Sequence, residues 1–151
     1  MNAEDLKLFI YKASKATYAS GDESLKQKQT DGSTTIVFSD GDFSYNDNYF
    51  GGEPYGGREV VFYKNKPVWM MVYYGLVYEG VNNEVYKILM EALSATKQEM
   101  PYRGPLEYVK DNWKYENIIS GGVGNLSGKE RIFKDDVCVY EANYLGGLVD
   151  R

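Results

Sequence analysis

Phe43-Ser44-Tyr45 and Trp113-Lys114-Tyr115 stand seventy residues apart, and so do Gly51-Gly52 and Gly121-Gly122. Gly57, Glu59, Phe62, Trp69, Tyr73 and Gly75 then match Gly128, Glu130, Phe133, Tyr140, Tyr144 and Gly146 at an offset of seventy-one. One residue has entered the loop between. The period exceeds the 20–50 residues of stacked solenoid repeats, so the pattern reads as one duplicated unit closing on itself. The 151 residues fit a single domain, able to bury roughly 68–70% of its unfolded surface. We place the two halves at about 1–80 and 81–151.

Each half reads as a helix followed by strands. Leu6, Phe9, Ile10, Ala13 and Ala16 recur at helical spacing over 3–18. A polar loop follows to about residue 33. Strands are expected at 34–39, 42–50, 58–64 and 68–75, separated by Gly, Asn and Pro clusters. Val85, Ile88, Leu89, Ala92 and Leu93 form the stripe of a second helix over 83–97, with Asn82 or Asn83 as its cap. Three more strands fit 112–119, 128–134 and 137–145. The expected fold is α+β: an internally duplicated helix-plus-antiparallel-meander unit forming a curved sheet or partial barrel with two helices on one face.

Composition removes many functions. There is no histidine, so Ser-His-Asp and Cys-His nucleophile arrangements and histidine-ligated zinc are ruled out. The single cysteine, Cys138, lies in an apolar run and forms no internal disulfide. Seventeen basic against twenty-two acidic residues, net charge −5, argue against broad nucleic-acid binding. The densest basic piece, 25–29, reads as a solvated loop. The N-terminus lacks a basic stretch followed by an apolar run, and no segment reaches the roughly 18 apolar residues of a membrane span. A cytoplasmic location is expected, with no membrane and no direct nucleic-acid partner.

Alternation places Phe43, Tyr45, Asp47 and Tyr49 on one face of their strand, and Trp69, Met71 and Tyr73 share a face of theirs. Val68, Met70 and Val72 make the latter strand apolar on both sides. Two helices cover one face of such a sheet; the other then meets a ligand, a partner subunit or the sheet's own opposite wall. Fifteen tyrosines suit a surface that stacks a planar molecule and hydrogen-bonds its edges. The alternative is that they are core and cross-strand pairs. The candidate ligand-binding residues are Tyr45, Asp47, Tyr49, Arg58, Trp69, Tyr73, Arg103 and Tyr115, with Arg58 or Arg103 meeting an anionic group. The recurrence of Glu59 and Glu130 in both halves suggests a structural job such as accepting loop amide hydrogens.

Other motifs fail on their chemistry. Gly122 to Glu130 has five residues between its outer glycines, ends Lys-Glu and leads into a strand, so it is no phosphate loop. Asp40-Gly41-Asp42 with Asp47 lacks the glycine and closing glutamate of a calcium loop. Asp47 with Glu53 is the one carboxylate pair to consider for glycoside or nucleotide hydrolysis. No cofactor and no metal are expected.

Ala16-Thr17-Tyr18-Ala19, Tyr45-x-Asp47-x-Tyr49-x-Gly51-Gly52, Pro67-Val68-Trp69-x-Met71-x-Tyr73-x-Gly75 and Pro101-Tyr102-Arg103-Gly104-Pro105 stand in this order along the chain. With them the chain resembles the bacterial domain-of-unknown-function family 5680, found alone or behind a helix-turn-helix domain in regulators. The resemblance supplies no activity and no catalytic residues. What it implies is a sensing role: a free-standing copy would sense, carry or sequester a ligand, as a phage copy soaking up a nucleotide signal would. The leading expectation is therefore a non-catalytic small-molecule binding domain with an aromatic cleft, for a nucleotide-like or anionic ligand. The alternatives are a protein-interaction or homo-oligomerisation module, and a carboxylate-based hydrolase of a sugar or nucleotide.

Overall fold

Helix α1 spans Ala3–Ala16 in the computed structural model, which describes residues 1–78 and 82–150. Asn2 sets its start. The Asn2 side-chain oxygen accepts from the Asp5 amide at 2.8 Å, and the Asp5 carboxylate accepts from the Asn2 amide at 3.1 Å. Two amides that a helix start leaves unpaired are thereby satisfied. Leu6, Phe9, Ile10 and Ala13 form the buried stripe. The helix stops at Thr17, whose amide and hydroxyl both donate to the Ala13 carbonyl, at 3.0 and 2.7 Å. The stretch read as a polar loop holds two short 3-10 turns, Tyr18–Ser20 and Glu23–Leu25, and a two-residue strand β1, Gln27–Lys28.

Strands β2 (Thr34–Asp40), β3 (Phe43–Gly51), β4 (Tyr55–Tyr63) and β5 (Lys66–Val77) follow as an antiparallel meander. Helix α2 covers Asn82–Ser94. It starts at Asn82, so Asn82 and Asn83 lie inside its first turn and neither is the cap in front of it. Strands β6 (Glu107–Lys110), β7 (Trp113–Gly122), β8 (Asn125–Lys134) and β9 (Val137–Leu148) form the second meander. Each strand expected from the sequence is present. β6 escapes a sequence reading because Glu-Tyr-Val-Lys is too short to show a period.

The nine strands among the described residues belong to one antiparallel sheet, in the order β1-β2-β3-β4-β5-β9-β8-β7-β6. With two helices on a wholly antiparallel sheet the fold is α+β. The meanders join through their last strands: Met71 faces Gly146, and Tyr73 faces Tyr144. β1 and β6 are therefore left as the two outer edges, and the sheet is open rather than closed into a partial barrel.

Residues directly opposite each other in an antiparallel pair point to the same face. Tyr45, Val61 and Trp69 lie in one cross-strand row, and Asp47, Glu59 and Met71 in the next. These rows meet α1, whose Leu6, Phe9, Ile10 and Ala13 pack with Tyr45, Val61, Trp69 and Met71. On the same face, Val85, Ile88, Leu89 and Ala92 of α2 pack with Tyr115, Ile132, Tyr140 and Ala142. Both helices thus cover one face and leave the other to solvent.

The meanders pair in the same register. Tyr45 faces Val61 as Tyr115 faces Ile132, and Asp47 faces Glu59 as Asn117 faces Glu130. Each has a register shift one strand from its end, at Val61/Phe62 and at Ile132/Phe133. Gly51 and Gly121 both take left-handed backbone, φ 78° and 84°. A Cβ there would collide with the Pro54 and Asn125 carbonyl oxygens respectively. Among the described residues no helix is long and apolar enough to cross a membrane.

Candidate functional site

Under the helices, where the two meanders meet, the covered face turns polar. Arg103, in the segment between α2 and β6, is buried and takes left-handed backbone, φ 68°. Its guanidinium grips the Glu130 carboxylate with two bonds, Nε to Oε1 at 3.1 Å and Nη2 to Oε2 at 3.0 Å. Nη2 also donates to the Tyr55 hydroxyl at 3.2 Å. The guanidinium carbon lies 5.7 Å from the centre of the Tyr18 ring and 5.4 Å from that of Tyr73. Tyr115 donates to Glu130 Oε1 at 2.7 Å and accepts from the Gly104 amide at 3.1 Å. Asn117 donates to the Tyr102 and Gly104 carbonyls and accepts from Tyr144. Burial works against the Arg103 charge, but the Glu130 carboxylate with its hydrogen bonds and the Tyr55 and Tyr140 hydroxyls together outweigh it and hold the proton on more firmly than usual.

The matching positions of the first meander are poorer in partners. Tyr73 donates to Asp47 Oδ1 at 2.5 Å. Glu59, directly opposite Asp47 and 2% exposed, has Oε1 without a hydrogen-bond partner, and so does the Tyr45 hydroxyl, also 2% exposed. Burial raises the Asp47 pKa to about 6, against the pull of the Tyr73 hydrogen bond and the Arg103 charge. Burial, and then the nearby Asp47 charge, raise Glu59 to about 8, with Arg103 again opposing. Near neutral pH the pair therefore retains a proton. Burial also lifts the Tyr18, Tyr45 and Tyr73 hydroxyls well above the usual phenol range, which keeps them neutral donors.

The opposite, uncovered face is chemically different. A concavity of about 740 Å³ runs across β5, β9, β8 and β7. Its apolar lining comes from Val72, Tyr74, Leu145 and Ile118, which are 37%, 53%, 61% and 56% exposed. Ser120, Ser127, Lys129 and Asn143 add polar edges. Register explains the cluster: Val72 faces Leu145, Tyr74 faces Asn143, and Lys129 faces Ile118. Arg58 faces Val72 across β4 and β5, so its exposed side chain flanks the concavity. On the other flank Lys129 pairs with Glu141 at 2.9 Å.

The structure brings Tyr45, Asp47, Tyr73, Arg103 and Tyr115 together, with half-buried Tyr49 in the row beyond Asp47, all on the helix-covered face. Trp69 is fully buried and stacks on Tyr102, ring centres 6.3 Å apart, which places it in the core under α1. Arg58 alone faces the other way. Arg103 meets the chain's own Glu130 where the sequence reading has it meeting an anionic ligand. Glu130 in turn accepts from that arginine and from Tyr115 rather than from loop amides. Asp47 and Glu53 are not brought together: exposed Glu53 accepts from the Val77 amide and the Tyr86 hydroxyl. The partner of Asp47 is Glu59 instead, which two-residue alternation along paired strands would have revealed once their register was known. The concavity was missed because Val72, Tyr74 and Leu145 look like core residues in sequence.

Comparison with curated proteins and with solved structures gives no match. A family model does match, across residues 47–149, from the Asp47 of the buried carboxylate pair to the end of the central strand pair. The chain accordingly belongs to the family described as Domain of unknown function (DUF5680).

Proposed function

We propose that the protein is a non-catalytic small-molecule binding domain whose site is the concavity on the uncovered sheet face. The observation that carries this reading is the concavity itself, about 740 Å³ with Val72, Tyr74, Ile118 and Leu145 held open to solvent on central strands. Its size falls within the roughly 300–1,000 Å³ of ligand sites, and an apolar floor with a few polar groups at the edge is their usual composition. Arg58 and Lys129 on the flanks favour a ligand with a flat apolar body and an anionic end, a nucleotide-like molecule being one such shape. This moves the small-molecule site from the tyrosine-rich face to its reverse, where Val72, Tyr74, Ile118 and Leu145 stay exposed.

Native mass spectrometry of the purified protein, followed by denaturation and identification of what is released, tests the reading. A reproducible adduct that disappears in Tyr74→Ala and Leu145→Ser, with folding retained, is the expected result. An adduct that survives both changes would place the ligand elsewhere.

A second reading is favoured by the same exposed row, Val72 beside Leu145: an interface for a protein partner or a second copy. Concentration-dependent association abolished by Leu145→Ser would support it over the first.

We further infer that the two halves are copies of one helix-plus-meander unit. Support comes from their matching registers, the paired bulges and the two left-handed glycines at equivalent turns.

A further inference from the structure

Glu59 and Glu130 occupy matching positions, and their surroundings differ in one respect that chemistry can interpret. Glu130 has a guanidinium, supplied by Arg103, and a tyrosine donor, Tyr115. Glu59 has the matching tyrosine, Tyr45, on the strand beside it, and a second carboxylate, Asp47, where the other half has the neutral Asn117. Among the described residues no second arginine grips this pair as Arg103 grips Glu130; only the Arg103 charge acts on it from beside Glu130. Three buried carboxylates among the described residues, Asp47, Glu59 and Glu130, thus share one buried cation, Arg103. Uncompensated negative charge in such surroundings is costly. Among the described residues Glu59 Oε1 and Tyr45 Oη, both more than nine-tenths buried, make no well-aligned hydrogen bond, although the Tyr45 hydroxyl lies near enough to Glu59 to favour its charged form.

We propose that Asp47, Glu59 and Tyr45 form a binding site for the cationic end of an organic molecule, a guanidinium or a primary ammonium group. The chain supplies its own template: beside Glu130, a guanidinium sits between a carboxylate and tyrosine rings. A guest on the first half meets the same elements. Two carboxylates offer charge and acceptors, and tyrosine rings of the cluster offer π-faces to a cation. Half-buried Tyr49 follows Asp47 on the same strand face, and Tyr18 lies near enough to feel the Glu59 and Asp47 charges. The site lies on the face opposite the concavity and does not depend on it.

The guest competes with a proton. The groups facing the pair are Tyr45 from β3, Tyr73 from β5, Tyr18 from the turn after α1, Arg103 from the segment before β6, and Glu130 from β8. Burial raises Asp47 to about 6 and Glu59 to about 8, so the pair itself changes charge over this range. Cation binding therefore strengthens as pH rises through this range, because the proton leaving Glu59 makes way for it.

The probes are methylguanidinium and methylammonium, titrated calorimetrically at pH 6 and pH 8.5, with the unfolding midpoint followed in parallel. Binding of at least one probe at roughly 10 mM or below at pH 8.5, and more than about tenfold weaker at pH 6, is expected. Glu59→Gln and Asp47→Asn should each abolish it. Asp47→Asn installs the residue found at Asn117, so its folding has a precedent within the molecule. Neither probe binding at either pH, or binding undiminished in both folded variants, overturns the proposal; the proton alone then balances the pair. Neither result bears on the concavity, whose test uses Tyr74 and Leu145.

Discussion

Glu59 and Glu130 sit at matching places on paired strands, yet Arg103 and Tyr115 satisfy Glu130 while Glu59 keeps a buried oxygen without a partner. This asymmetry divides the covered face into a closed half and an unbalanced one.

Removing the arginine exposes how much the closed half depends on it. Arg103→Ala leaves Glu130, which has no exposed surface, without its counter-charge. A loss of about 3–5 kcal/mol is expected, the usual result of breaking one side of a buried pair. Arg103→Lys should recover only part of it, since a lysine cannot make the two-pronged contact. Urea denaturation of the three proteins measures both effects.

Acid–base linkage predicts a stability that falls as pH rises. Glu59 keeps its proton in the fold to about pH 8 against an ordinary 4.5. Between those values the unfolded chain binds fewer protons than the folded one, so each unit of pH favours unfolding. Asp47, raised from 3.8 to about 6, adds to the loss in the lower part of the range. In buffers free of organic cations the denaturation midpoint should decline from pH 4.5 to 8. Glu59→Gln should flatten most of that slope, and an equally steep variant would refute the assignment.

Trp69 tests the division between core and surface. With no exposed area and Tyr102 stacked on it, Trp69→Ala should cost about 3–5 kcal/mol by cavity formation. Tyr74→Ala on the reverse face should stay within about 0.5 kcal/mol. Comparable losses for the two would mean that the faces are wrongly assigned.

Turn glycines make a sharper pair. Gly121→Ala meets both a left-handed backbone and the Asn125 carbonyl, for a penalty of about 1–3 kcal/mol. At the adjoining Gly122, nothing lies within 4 Å of an added Cβ, and φ is ordinary. Thermal unfolding of the two alanine variants should separate them clearly.

Much of this architecture was legible in the chain. The stripe of α1 and the alternation of Tyr45 and Asp47 both follow from local periodicity. What periodicity omits is sidedness. Val72 and Tyr74 are as apolar as Met71 and Tyr73, and only the helices' landing place decides which set is covered. Arg103 shows the same limit differently. Its left-handed backbone turns it inward to Glu130, twenty-seven residues away, a contact that no short motif encodes. The Asp47–Glu59 pair, by contrast, required only strand register, and its raised pKa values follow from burial once that register is known.

The central position of β9 bears on how the molecule is made. This strand bonds to β5 on one side and β8 on the other. A polypeptide that has been synthesised only as far as β8 carries two long strands with bare inner edges, each able to capture a neighbouring chain. Such edges are the usual starting point for misassembly during synthesis. The molecule is therefore most vulnerable just before β9 emerges, and shortening the chain ahead of Val137 should yield aggregates rather than a smaller soluble domain.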